Sequence, residues 1–502
     1  MGSEGNIYRS IGVEPIINCR GTFTIIGGSV ERPEVLEAME AASGYFVQYD
    51  ELAEGVGRRL AELTSAEWGL VAAGCAAGIK HITAACVTGG NPEKLIRIPD
   101  LTGLDKTQVI APRYSRNAYD HAVRNIGVEM ITVETPEELE GAINPKTAMI
   151  YLVTGPASDP GQPLSLEVIA RIAEPQGIPV LADAAAENFV IPNIHLQQGA
   201  NAVAYSGGKA LCGPQCAGLV LGDKALLKAA WQASSPHHGP GRDNKIGKEE
   251  IMGMLAAVEA WTRRDHEAEW QAWLDILAFI AARAEQVEGV TTAVNERTGL
   301  SNRAPMLAIV WDPEVLHITG EEVAEDFARN APRIAVGSGD GDGKAAINIT
   351  PSQMQPGDAE VVAERIHAIL AAERTPRATG LAAPGADLSG YWDLDIRFFN
   401  GASRHQLYIE QRGNWIGGVH VSDFSTQALE GVVEGDHIKL KSTMSRPGNA
   451  IPFMFSGKVS DGVLAGAIHL GEYLKAEFTA ARAEHPPQRR PIAIPSGPPL
   501  AT

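Results

Sequence analysis

The sequence predicts an α/β protein with a mainly parallel seven-stranded sheet, a smaller α+β lobe and a C-terminal antiparallel β domain. Three observations carry this prediction. Between residues 67 and 223, apolar runs of strand length alternate with helical stretches, as in strand–helix–strand units. A long helical region with a few strands follows. After a stretch rich in Pro, Gly and Ala, short segments alternate apolar and polar residues, the pattern of half-buried antiparallel strands.

The seven strands of the first region are expected at residues 68–72, 108–111, 129–133, 148–153, 179–182, 202–205 and 218–221. Helices fall between them at 77–87, 117–126, 136–143 and 164–176; Gly177 serves as the C-cap of the last, with Pro179 beyond it. A helical region over 248–287, strands at 307–310, 333–336 and 346–349, and a helix over 358–373 form the smaller lobe. The domain division is then 1–250 for an arm and large domain, 251–375 for the small lobe, and 376–387 for a linker. A barrel or sandwich follows at 388–482, and a Pro-rich tail at 483–502. Six strands are expected in the β domain, at 391–395, 405–411, 415–421, 437–442, 453–459 and 463–470.

Composition narrows the functional classes. At 502 residues the chain holds a large core and is no small binding module. A net charge of −19 repels polyanions, so nucleic acid is a disfavoured partner. No apolar run is long enough to cross a bilayer, and no secretory signal is evident at the N-terminus, so a cytoplasmic location is expected. The five cysteines, Cys19, Cys75, Cys86, Cys212 and Cys216, show no zinc-type spacing and read as reduced thiols, with no metal site.

Chemistry concentrates at three strand ends, where doubly wound folds bind ligands. Ala73-Gly74-Cys75-Ala76-Ala77-Gly78 joins a strand to a helix through small residues, so that backbone N–H groups at Cys75, Ala76 and Ala77 could face a phosphate. Close helix packing is the other account of this loop. Asp183 ends the 179–182 strand, and a carboxylate there suits the protonated pyridine nitrogen of pyridoxal 5′-phosphate (PLP), with the small Ala185 under the ring. A helix N-cap is the other account of Asp183. Lys209, in Ser206-Gly207-Gly208-Lys209, has the accessible amine that attachment of PLP needs, and Ser206 is placed to bond the phosphate. A solvated surface lysine is the bland alternative. The order of the three, one after another along the sheet, favours the cofactor reading.

At these segments the chain resembles the fold type I PLP enzymes, with an aspartate aminotransferase-like fold. Within them it resembles the branch that includes bacterial selenocysteine synthase and D-glucosaminate-6-phosphate ammonia lyase. The resemblance covers roughly residues 7–372. It rests on Ile16-Ile17-Asn18-Cys19-Arg20-Gly21-Thr22, Arg116-Asn117-Ala118-Tyr119-Asp120, Asp183-Ala184-Ala185-Ala186-Glu187, Ser206 through Gln215, and Gly241-Arg242 through Lys245 to Glu250.

The resemblance implies a homodimer or higher homo-oligomer, Lys209 as the Schiff-base lysine and proton shuttle, and Asp183 against the pyridinium. Arg116 and Asn117 become candidates for holding substrate, though an exposed helix start explains them equally well. Arg242 and Lys245 read either as a site for a phosphate or substrate acid or as a solvated charge run. Arg333 is the candidate for gripping a substrate carboxylate, and Glu187 or Lys209 for protonating a leaving group. The expected reaction begins with loss of an α-proton from a small amino acid or amino sugar acid. β-Elimination releasing ammonia and a 2-oxo acid ranks first. Racemisation or epimerisation, transamination, selenocysteine synthase-like transfer and a non-catalytic scaffold follow. The β-rich tail, which resembles small lipocalin-like barrels, departs from both named relatives.

Overall fold

The computed structural model describes residues 7–376 and 380–483, which fall into two compact units divided after Pro376. The expected 483–502 tail lies, but for its first residue, outside the described residues, as does part of the expected linker. The large-domain and small-lobe segments lie together in the first unit.

In the first unit, β1 (Ile16–Asn18) precedes two helices, α1 (Pro33–Ser43) and α2 (Tyr49–Thr64). The large sheet comprises β2 (Trp68–Ala72), β3 (Gln108–Pro112), β4 (Glu129–Val133), β5 (Thr147–Val153), β6 (Val180–Asp183), β7 (Ala202–Ser206) and β8 (Gly218–Gly222). Its order is β2-β8-β7-β6-β5-β3-β4, with only β8 antiparallel to its neighbours. The seven strands and the mainly parallel sense match the expectation from sequence. Both faces are covered, so the strands read as near-continuous apolar runs, with one hydrophobic core on each side.

Helix boundaries shift where local chemistry overrides the apolar period. The expected helix at 117–126 is a 3-10 turn (Ala118–Asp120) and a single helical turn (His121–Arg124), because Asn117 accepts from Tyr119 N–H at 2.8 Å and Gly127 turns the chain at φ +92°. The 248–287 region is two helices, Lys248–Trp261 and His266–Ala284, and Asp265 starts the second by accepting from Ala268 N–H at 3.0 Å.

The small lobe carries β9 (Thr291–Glu296), β10 (Pro305–Trp311), β11 (Arg333–Ala335), β12 (Gly337–Gly341) and β13 (Lys344–Ile349). Four of these form a sheet in the order β12-β13-β10-β9, while β11 leaves it to pair in parallel with β1. The N-terminal arm is thereby tied to the small lobe, and Cys19 N–H continues the pairing onto Ala335 O at 2.9 Å.

The second unit is a closed antiparallel barrel: β14 (Gly390–Phe398), β15 (Gly401–Arg412), β16 (Trp415–Val421), β17 (Thr426–Glu434), β18 (His437–Arg446), β19 (Asn449–Ser460), β20 (Val463–His469) and β21 (Ala476–Arg482). It has eight strands, not six. The two that pattern reading missed, β17 and β21, carry weak signals. In β17 Gly431 interrupts the alternation, and in β21 the inward positions are Ala476, Phe478 and Ala480, two of them too small to register as apolar. Closure of β14 onto β21 leaves no free sheet edge. Among the described residues no helix is long and apolar enough to cross a membrane.

Candidate active site

Asp183 ends β6, at 5% exposure. Its carboxylate takes a hydrogen bond from Tyr151 Oη at 2.8 Å and from Ala185 N–H at 3.1 Å, and the Cys75 thiol lies 3.7 Å away. Burial pushes the Asp183 pKa up; the bonds from Tyr151 and Ala185 and the charge of Lys209 oppose that rise. Burial likewise raises the Tyr151 phenol and the Cys75 thiol, so both stay protonated and act as donors. Register explains the Tyr151 contact: β5 and β6 run side by side in parallel, with Val153 opposite Asp183.

The small-residue loop enters α3 (Cys75–Thr88), whose N-cap is Gly74 at φ +90°. Glycine has no side chain to cap the first N–H groups, which in any helix lack intrahelical partners. They form, with the helix dipole, an anion-binding end. Gly218 on β8 fixes the loop from beneath, since a Cβ there would stand 2.3 Å from the Gly74 carbonyl carbon. Neither glycine is replaceable by a side chain without moving backbone.

Lys209 follows β7 through two glycines that fit only because they lack side chains. A Cβ on Gly207 would lie 2.8 Å from Ala217 O, and one on Gly208 the same distance from Gln215 Cα. Lys209 is half-buried, and its side-chain amine makes no hydrogen bond or ion pair among the described residues. It lines a cavity of about 1000 Å³ together with Arg20, Phe189, Trp261, Trp270 and Arg303.

The expected cofactor residues therefore converge. Cys75 touches Asp183, Ala185 donates to it, and Ser206 N–H reaches Ala185 O at 3.4 Å. These residues fit PLP. A buried carboxylate, held by neutral donors and felt by the charge of Lys209, suits a pyridinium N–H; the uncapped start of α3 suits a phosphate; the unengaged amine suits the aldehyde.

The expected substrate residues behave differently. Arg116 Nε binds Asp120 at 2.6 Å and its Nη1 binds Thr132 Oγ1 at 2.7 Å, so its fork is used within the protein. Asn117 caps Tyr119 N–H, and of the pair only Tyr119 lines the cavity. Glu187 is buried, 2.5 Å from His195 Nε2, and is not part of the cavity wall. Arg242 and Lys245 are exposed, and Arg333 lies on β11; none of the three lines the cavity. Arg20 does, one strand away from Arg333 across the β1–β11 pair. Tyr151, Arg20, Trp270 and Arg303 were given no role from sequence. Tyr151 sits inside an apolar strand, and the others meet only in three dimensions.

No family model matches the chain. A D-glucosaminate-6-phosphate ammonia lyase of Salmonella typhimurium is 32% identical over 264 residues, 51% of this chain and 69% of that one. A 5′-C-glycyluridine monooxygenase-decarboxylase of a Streptomyces species is 25% identical over 384 residues, 74% of this chain and 93% of that one. The solved structure of a D-glucosaminate-6-phosphate ammonia-lyase superposes with a TM-score of 0.64 at 25% identity, over 73% of this chain and 98% of that one. Sheet and lobe are thus those of the fold type I class of PLP-dependent enzymes. Within that class, the chain belongs to the D-glucosaminate-6-phosphate ammonia lyase family of PLP-dependent lyases. The resemblance read from its motifs is met; part of the chain has no counterpart in the solved relative.

Proposed function

We propose that the chain holds PLP on Lys209 and eliminates ammonia from an amino acid or amino sugar acid, leaving a 2-oxo acid. The observation that carries this reading is the pairing of a buried Asp183 carboxylate with an unengaged Lys209 amine that opens onto the cavity. When bound, PLP supplies a sink for the electron pair left by loss of the α-proton. Asp183 keeps the pyridine nitrogen protonated, its own charge supported by Tyr151 and Ala185. Backbone N–H groups of Cys75, Ala76 and Ala77, with the Ser206 hydroxyl, hold the phosphate. Ala185 leaves room for the ring. The Lys209 amine takes the α-proton of a substrate that carries a β-hydroxyl and, now an ammonium, returns a proton to that hydroxyl, which leaves as water; hydrolysis of the released enamine through its imine tautomer then breaks the C–N bond and gives ammonia and the 2-oxo acid. Glu187, engaged with His195, takes no part.

The same reading includes a homo-oligomer and a small-molecule substrate. Ile7, Ile11, Ile25, Tyr45 and Phe46 in the N-terminal segment are all more than 70% exposed, a surface suited to a second copy of the chain. The described cysteines are all free thiols, in keeping with a cytoplasmic location.

The alignment over 93% of the Streptomyces relative favours one competing reading, oxygen-dependent decarboxylation. One assay separates the two. Protein loaded with PLP is given a panel of amino acids and amino sugar acids, and ammonia, oxo acid, carbon dioxide and dissolved oxygen are followed together. Ammonia and oxo acid in equal amounts without oxygen uptake support elimination. Oxygen uptake with carbon dioxide release overturns it.

A further inference from the structure

The two ends of the barrel differ. Successive connections in an up-and-down barrel alternate between ends, so the loops after β14, β16, β18 and β20 share one end. The turns after β15, β17 and β19 share the other, with the start of β14 and the finish of β21. Those turns are Gly413-Asn414, Gly435-Asp436 and Asp461-Gly462, none of them apolar. The first end instead carries Phe399, Phe424, Tyr473 and Leu474 in its loops, at 80%, 76%, 53% and 67% exposure. Of the large apolar residues more than half exposed in the barrel, Trp415 alone among the described residues lies elsewhere, at the start of β16.

These side chains do not serve the core. Ile396, Leu429, Phe453 and Ile468 are buried within the barrel, and the four loop residues face water outside it. Clustered exposed apolar groups mark a surface that meets something else.

Three features select the occupant. The apolar side chains project from three separate loop tips rather than from one strand or helix face, a shape that enters a soft surface without needing a matching mould. The rim carries both signs of charge, Arg446, stacked over Phe424 at 5.5 Å, and Lys475 against Asp423 and Glu472. Zwitterionic headgroups likewise present both signs, whereas an anionic surface would call for an excess of cations in a chain whose net charge is −19. The outer wall is polar: along β18 the outward residues His437, Lys439, Lys441 and Thr443 are exposed, so the barrel stands in water and only its end suits lipid. Apolar tips with aromatic rings fit the depth of the headgroup boundary.

We propose that Phe399, Phe424, Tyr473 and Leu474 form a docking surface for a zwitterionic phospholipid bilayer, which the barrel touches end-on without spanning it. The proposal is independent of the cofactor and of the reaction. Its test is sedimentation of the full chain with phosphatidylcholine vesicles. Burial of one Phe or Leu side chain is worth about tenfold or more in partition. Phe424→Ser and Leu474→Ser should therefore each weaken binding by about tenfold, and both together by more. Trp415→Ser, at the other end of the barrel, should change nothing. Phosphatidylglycerol added to the vesicles should weaken binding, and salt should restore it by screening the repulsion.

No sedimentation of the wild type with phosphatidylcholine, or partition that survives the double substitution, overturns the proposal. Binding that appears only with phosphatidylglycerol and vanishes in salt also overturns it, as does a loss in Phe46→Ser equal to that in Leu474→Ser, which would move the contact to the N-terminal arm. Analytical ultracentrifugation without lipid tests the remaining occupant: if the wild type is a larger assembly than both single variants, the surface joins copies of the chain and the lipid reading fails. Circular dichroism confirms folding of each variant.

Discussion

Tyr151 Oη donates to Asp183 Oδ2 at 2.8 Å from the interior of the neighbouring strand, so a buried phenol outside the cavity wall favours the charged form of the acid. Both groups are buried, and burial alone drives Asp183 toward its neutral form. Tyr151→Phe keeps the packing and removes the one side-chain oxygen donor. A hydrogen bond to a charged group is worth about 1.5–3 kcal/mol, so PLP affinity should fall by about one to two orders of magnitude. Absorbance titration of the apo-protein with PLP measures this, and unchanged affinity would refute the role given to Tyr151. Asp183→Asn should lose more, because the acceptor for the pyridinium then carries no charge.

Lys209→Ala removes both the attachment point and the base while leaving the phosphate end of the site, the uncapped start of α3, intact. Turnover should drop at least about a thousandfold, in line with loss of a group that acts in more than one step. PLP should still bind without covalent attachment. Borohydride reduction followed by peptide mapping should mark Lys209 in the wild type and no residue in the variant. A mark on another lysine would move the site.

The proposed cofactor residues, Lys209, Asp183 and the loop at Cys75, could be singled out in the sequence because each requirement is local. An accessible amine needs flanking glycines, a phosphate needs small residues at a helix start, and a ring-nitrogen partner needs an acid at a strand end. The cavity wall was not legible for the opposite reason. Arg303 reaches the site because residues 300 and 302 pair with residues 188 and 186, a contact across more than a hundred positions that leaves no periodic trace. Arg333 drew notice as an arginine in the small lobe, yet it is Arg20, carried by the strand that pairs with β11, that lines the cavity. In the barrel the strands with large inward residues were readable, and β21, with alanines inward, was not.

Acid should weaken the barrel. His405 Nδ1 and His420 Nε2 are 2.9 Å apart inside it, and His420 Nδ1 meets Ser442 Oγ at 2.7 Å. Burial lowers both histidines, His420 to about 4, with Asp423 opposing the shift at His405. An unfolded histidine takes up its proton near pH 6.5, whereas the folded His420 refuses it until about 4. The stability from the neutral pair is thus complete above about pH 6.5 and is lost as pH falls toward 4, on the order of 3 kcal/mol for His420. Thermal unfolding of the full chain at neutral and mildly acid pH, compared with His420→Gln, isolates this share. The variant should lose less on acidification, and an equal loss would remove His420 from the account.

Two glycine-to-alanine changes should have opposite signs. At Gly218 the new methyl would stand 2.3 Å from the Gly74 carbonyl carbon, where only backbone movement relieves the clash. Overpacking of this kind costs about 1–3 kcal/mol, and the movement falls on the start of α3, so PLP affinity should drop along with stability. At Gly141, inside the helix Pro136–Ala142, a Cβ meets nothing within 4 Å. There the methyl only restricts the unfolded chain and improves helix propensity, adding about 0.4–1 kcal/mol without touching the cofactor site. Unfolding midpoints and PLP titrations of the two variants in parallel test both. Loss of stability without loss of PLP affinity in Gly218→Ala would mean that the β8 contact supports the sheet rather than the phosphate loop.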